Sequence, residues 1–407
     1  MVCEHRVRHF LNRYEFMTSN TDAFDQWIRD AFVELNTELE EIYFAQDDRA
    51  AVGEAGADIR DKLVEEGRGF IAALLEEGNT DEGFENGFDL LGNVGLYMAA
   101  CRRHDVTEPS RERTSPLIEA SALALQLGSS LGVTPRFATS HLSTQNLAIN
   151  GSYKCFTSLE AERMFLEFNT RSIFAFKRAA DALVRTLPLG VSHPVTYDLL
   201  VVANDAIHDV LTFNDEMFEK LSTDRFFYCV RPYYKPYRVG LHEYRGANAG
   251  DFAGINELDL LLGLCHADSP SYSQLLVDKF LYMMPEDQQR LRDCMRRRSL
   301  LRDFLDHIDE HASSPWFQKN ASMFLNVCDA HGATAKQHHD QLVSRFIEKP
   351  SQDIDESYLQ KITASGPPLD VLLRSLEKLR DQRMAADRDD IQSSYHELRR
   401  LRASVQS

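Results

Sequence analysis

The sequence of 407 residues has no long apolar run, and nothing in it approaches the roughly eighteen uncharged apolar residues that a membrane span requires. Its first twenty residues, MVCEHRVRHFLNRYEFMTSN, carry charges throughout where a secretory signal would have an apolar segment, so the chain is expected not to be exported. The seven cysteines, Cys3, Cys101, Cys155, Cys229, Cys265, Cys294 and Cys328, are odd in number, scattered and never spaced as CxxC. They indicate neither a disulfide framework nor a zinc site, and they fit a reducing cytoplasm. Positive charge is short as well: 45 Lys and Arg face 63 Asp and Glu, a formal net charge of -18. Such a surface repels a phosphate backbone or an anionic bilayer, which leaves small molecules and proteins as partners. The order Ser-His-Asp, an HExxH pair and a phosphate-binding loop are all missing. So are internal repeats and low-complexity tracts, and strand-like alternation is scarce.

What is present is helical period. A content of 43% hydrophobic residues suffices for a full core. In TDAFDQWIRDAFVELNTELEEIYFA, Phe24, Trp27, Ile28, Ala31, Phe32 and Leu35 share one stripe, and acids with Arg29 occupy the other, which predicts a surface helix over a core. Similar patterns recur in SPLIEASALALQLGSSLG, SLEAERMFLEFNTRSIFAFKRAADALVRTL, VTYDLLVVANDAIHDVLTFNDEMFEKL, INELDLLLGLC and SYSQLLVDKFLYMM. Pro, Gly, Asn and Ser mark loops at 132–158, 188–194, 231–254 and 361–368. An all-α chain is expected, with a smaller N-terminal helical region over 1–158, a larger bundle over 159–380, and a polar tail over 381–407 that reads as an exposed helix or frayed end.

The segment KQHHDQLVSRFIEKP sets two histidines side by side at the head of an amphipathic pattern. On a helix, neighbours of one face lie three, four and seven positions apart. From His339 those steps reach Leu342, Val343 and Phe346; from His338 they reach Gln341, Leu342 and Arg345. His339 is therefore expected to face inward and His338 to sit at the polar edge. An imidazole in an apolar wall has two common fates, a structural hydrogen bond to a backbone carbonyl or ligation of a metal, often haem iron. The pattern alone leaves both open.

HDQLVSRFI, with Lys336 three residues before His339, resembles the proximal-ligand helix of the indoleamine 2,3-dioxygenase superfamily. RPYYKPYRVGLHEYRG and LGVTPRFATSHLSTQN resemble segments of the monodechloroaminopyrrolnitrin synthase family within it, and the similarity runs from about residue 131 to about residue 380. The resemblance implies a helical bundle enclosing haem b, with His339 as axial iron ligand and Lys336 as partner of a haem propionate. It implies further that Arg231, after the pair Phe226-Phe227, binds a substrate carboxylate, for which a guanidinium offers two parallel donors and a permanent charge. An alternative for Arg231 is a helix-end acid or a propionate, and Arg238 carries the same ambiguity with a place in the cofactor site. In GANAGDFAG, Gly246, Ala249 and Gly250 would lie against the haem edge, and Ala247 and Asn248 against the substrate. Phe165 and Phe168 match the helix above the iron, although plain core packing is the competing reading. Ser365, in TASGPP, matches a loop covering the substrate. For His141 the choices are a distal base or an ordinary hydrogen-bonded loop histidine.

The function so implied is a haem-dependent oxygenase using dioxygen or peroxide on tryptophan or a modified tryptophan, probed against two alternatives: a haem-dependent tyrosine hydroxylase and a non-catalytic haem sensor or carrier. The implied partners are an aromatic amino acid and an electron-donor protein.

Overall fold

A computed structural model describes residues 19–78, 83–341, 343 and 369–405. The described residues are helical apart from short turns, loops and one two-stranded ribbon, so the chain is all-α. No described helix is long and apolar enough to cross a membrane. The chain divides into two compact units. The first comprises Met1–Arg163, Asp224–Asn248 and Gln360–Gly366, and the second Met164–Thr223, Ala249–Leu359 and Pro367–Ser407.

In the first unit, helices α1 (Ser19–Arg29), α2 (Ala31–Phe44), α3 (Ala57–Glu77), α4 (Phe84–Arg103) and α5 (Ile118–Leu131) precede an antiparallel ribbon of β1 (Tyr237–Val239) and β2 (His242–Tyr244). The apolar stripe of the first predicted helix is buried at Phe24, Trp27, Ile28, Phe32 and Leu35, but the helix breaks at Asp30 into α1 and α2. Its charged stripe faces solvent at Asp22, Glu34, Glu38 and Glu41 as expected, but not throughout. Arg29 and Asp25 are buried and paired at 2.7 Å, and Lys154 reaches Asp25 at 2.7 Å and Asp89 at 2.8 Å. Arg29 also donates to the carbonyls of Leu147 and Ser152. The loop after α5 thus lies over this stripe and supplies the countercharge that water would otherwise provide. Helix α4 meets the same loop at close range, since a Cβ at Gly95 would run into the backbone nitrogen of Phe137.

The second unit is built from α6 (Glu160–Thr186, its first turn belonging to the first unit), α7 (Pro194–Lys220), α8 (Ala253–Leu261), α9 (Pro270–Phe280), α10 (Pro285–Met295), α11 (Leu300–Asp306), α12 (Pro315–Gln337), α13 (Leu369–Arg383) and α14 (Tyr395–Val405). Proline starts α7, α9, α10 and α12, where its missing N–H is no loss and its fixed φ suits the first turn. Helix α12 packs against α7, α13 and α14. The core includes Phe176, Leu183, Leu200, Ile207, Leu258, Phe304, Phe317 and Phe324. Each such side chain stabilises the unit by about 1.5–3 kcal/mol through its removal from water. The polar tail is more than a frayed end: α14 buries Leu398 and Leu401 in this core.

Candidate functional site

In the first unit, the predicted Phe-Phe-Arg segment forms two unusual turns in succession. Phe226–Val230 is π-helical, the Arg231 N–H donates back to the Phe226 carbonyl, and Arg231–Tyr234 continues as a 3-10 turn. Pro232 has no N–H to donate, which prevents a regular helix from running on. The wide turn is a local irregularity of the kind found at functional positions. It leaves Arg231 buried, 7% exposed, with its guanidinium carbon 5.4 Å from the centroid of the Phe227 ring. No carboxylate of the described residues pairs with it, and burial alone draws its pKa down to about 10. Two other buried arginines of this unit are neutralised: Arg102 pairs with Glu108 at 3.0 Å, and Arg103 grips both oxygens of Glu40 at 2.7 and 2.8 Å.

Arg238 is already committed. It donates to the carbonyls of Leu241 at 2.7 Å and Pro109 at 3.3 Å and lies 3.5 Å from Glu243, bracing the turn between β1 and β2. Gly246 and Ala247 are buried, whereas Asn248 is exposed and its carbonyl accepts from the Thr139 hydroxyl at 2.6 Å. His141 takes the ordinary hydrogen-bonded role. Its Nε2 lies 2.8 Å from the Phe88 carbonyl, its Nδ1 accepts from the Ala138 N–H at 2.8 Å, and its ring stacks on Phe88 at 3.9 Å.

In the second unit, α12 ends at Gln337 and the chain passes into a π-helical turn at 338–341. His338 is exposed and His339 half-buried, and the Nδ1 of His339 is buried with no hydrogen-bond partner among the described residues. Lys336 is exposed and pairs with Asp340 at 2.8 Å. Phe165 is half-buried; Phe168 is 5% exposed, with Arg171 and Lys220 at 5.4 and 5.6 Å from its ring centroid. Ala249 and Gly250 are half-buried, and the Gly250 carbonyl accepts from Lys279 at 3.1 Å. Ser365 lies outside the described residues.

The structure thus groups Arg231, Arg238, Gly246, Ala247 and Asn248 in the first unit, and Phe165, Phe168, Ala249, Gly250, Lys336 and His339 in the second. It adds a polar centre that periodicity did not single out. On α8, Asp259 is fully buried and accepts from His331 of α12 at 2.7 Å, from Tyr272 of α9 at 2.7 Å and from Arg383 of α13. One signal for it was available: two acids, Glu257 and Asp259, inside the leucine run INELDLLLGL, where a buried charge must find partners.

The family model of monodechloroaminopyrrolnitrin synthase PrnB matches residues 18–405, nearly the whole chain. No curated protein matches it. Helical throughout apart from one short ribbon among the described residues, and matched over nearly its whole length, the chain belongs to the PrnB family of monodechloroaminopyrrolnitrin synthases.

Proposed function

We propose that this chain is a haem-dependent oxygenase of secondary metabolism that acts on tryptophan or a modified tryptophan, with His339 as the axial ligand of a b-type haem. The observation that carries the reading is the half-buried His339 ring, whose buried Nδ1 has no partner among the described residues, set in a π-helical turn at the position the resemblance assigns to the ligand. A buried ring nitrogen without a partner costs about 1–3 kcal/mol, and such a cost supports a role for the ring beyond packing. One histidine fits the group, because an iron porphyrin brings four nitrogens of its own and asks the protein for an axial donor.

When bound, haem would supply the oxidising chemistry with dioxygen or peroxide. The chain's part is to hold, orient and shelter. Arg231 would receive the amino-acid carboxylate through its parallel N–H donors, gaining the countercharge that it lacks. Phe165, Phe168, Ala247, Asn248 and Ser365 are proposed at the substrate, and Gly246, Ala249 and Gly250 at the haem edge, on the resemblance alone. Lys336 already pairs with Asp340, and Arg238 with the carbonyls of Leu241 and Pro109, so a propionate would have to use their remaining N–H donors.

The test is the visible spectrum of the purified protein, with and without L-tryptophan. His339→Ala should lose stoichiometric haem and the Soret band while keeping its helical content, and His338→Ala should keep both. Haem retained by His339→Ala removes the ligand assignment. With reductant and oxygen the wild type should convert an indole amino acid; binding without turnover would point to a carrier, and turnover of tyrosine alone to a hydroxylase.

A further inference from the structure

Four cations of the first unit gather about the RPYYKP segment: Arg102, Arg103, Arg231 and Lys235. Arg102 is held by Glu108 and donates to the Pro236 carbonyl at 3.2 Å; Arg103 is held by Glu40 and donates to the Tyr228 carbonyl at 3.2 Å. Two carboxylates therefore serve four cations. Neither Arg231, 7% exposed, nor the half-buried Lys235 has a carboxylate or hydrogen-bonding side chain as partner among the described residues. This shortage occurs in a chain whose formal net charge is -18, where acids are plentiful. A buried charge is ordinarily paired, and a surplus of buried positive charge amid abundant acid is suited to a ligand that brings the missing anion.

We infer that Lys235 is the second cation of the carboxylate subsite at Arg231, and that it takes up a proton from solvent as an anionic ligand arrives. The inference rests on the reading of Arg231 as carboxylate anchor and adds to it a residue and a proton. Burial first, then the charges of Arg102, Arg103 and Arg231, push the Lys235 pKa down to about 7, with Glu108 opposing them. The amine is thus largely neutral in mildly alkaline solution. A carboxylate beside it favours the ammonium, so binding above pH 7 draws a fraction of a proton from water onto Nζ, and carboxylate affinity falls as pH rises through the ligand-bound value.

Calorimetric titration of the full-length protein at pH 8, in two buffers of different ionisation enthalpy, reads this proton directly. Indole-3-propionate is the probe, because it has a carboxylate and no amine to titrate, and indole is the control. The wild type should take up roughly half a proton with indole-3-propionate, the amount a tenfold gain in affinity implies for an amine near 7, and none with indole. Lys235→Met should abolish the uptake and weaken indole-3-propionate by about tenfold at pH 6.5, the scale of one hydrogen bond to a charged group, while indole is unaffected. Lys235→Arg should restore the affinity, without uptake and without pH dependence. Uptake that persists in Lys235→Met, unchanged carboxylate affinity in it, or equal weakening of indole each overturns the inference. Arg231→Leu then separates the two ideas. If it weakens only the carboxylated ligand, the anchor stands without Lys235; if it does not, or if the wild type binds no indole-3-propionate, both fall.

Discussion

The Arg383 guanidinium meets the Asp259 carboxylate through two parallel bonds, Nε to Oδ1 and Nη2 to Oδ2, each 2.8 Å long. His331 and Tyr272 complete the shell of a carboxylate that water does not reach, so one charge ties α8 to α9, α12 and α13. Burial alone would raise this carboxyl, but the Arg383 charge and the His331 hydrogen bond overcome it and hold the group well below the usual range. Asp259→Asn should destabilise the protein by about 3–5 kcal/mol in denaturant unfolding, because it leaves Arg383 buried and unpaired. The depressed carboxyl contributes its stability above the unfolded value near 4 and loses it only in stronger acid, so the deficit should be constant from pH 5 to 8. The double variant with Arg383→Met should recover much of the loss, which is the signature of coupling between the two.

Helical period made the apolar positions legible and left the charged ones obscure. Phe24, Trp27, Ile28, Phe32 and Leu35 are buried as their spacing predicts, since period reports which face turns away from water. Arg29 and Asp25 obey the same period, yet a loop more than a hundred residues on covers them, and no local pattern registers that. Leu398 and Leu401 sit in a tail whose polarity conceals them until the core against which they pack exists. The candidate site was legible only by likeness. Arg231 follows a π-helical turn and His339 lies in one, and such turns have no sequence period of their own; Lys235 has nothing beside it in the chain to mark its lack of an acid.

Gly95 on α4 fixes the approach of the loop after α5. Gly95→Ala would force Cβ against the Phe137 backbone, which has no flexible end to yield. A cost of at least about 3 kcal/mol in unfolding free energy is expected, the upper range for overpacking a tight contact. Gly69→Ala, on α3 with open space around it, should change stability far less and in the favourable direction, because alanine favours a helix.

His141 predicts a pH dependence. Burial holds its pKa down to about 4, against an ordinary value of 6.5 in the unfolded chain. Above pH 6.5 both states are neutral and the group adds no slope. As pH falls from 6.5 to 4 the unfolded chain binds the proton first, so the folded state loses up to about 3 kcal/mol from this residue alone. His141→Phe keeps a ring against Phe88 and loses both ring hydrogen bonds, so it should be less stable at pH 7. The difference between variant and wild type should shrink steadily toward pH 4. A gap that stays constant with pH would show that the ring does not titrate on unfolding.

Arg231 should cost the free protein stability and return it on binding. A buried guanidinium with no countercharge among the described residues loses much of its hydration and recovers part of that loss from the face of Phe227, where a cation-π contact offsets about 0.5–2 kcal/mol. Arg231→Met keeps most of the side-chain volume and removes the charge. The ligand-free variant is therefore expected to be more stable than the wild type by about 1 kcal/mol, the excess of a largely dehydrated charge over that contact. Ligand reverses the order. A molecule that binds only the folded state raises its melting temperature by mass action, so saturating L-tryptophan should stabilise the wild type and leave Arg231→Met nearly unmoved. Scanning calorimetry of both proteins, with and without L-tryptophan, checks both halves. A variant that is less stable without ligand would mean that the arginine is already neutralised in the folded chain, and the case for an anion at this position would fail with it.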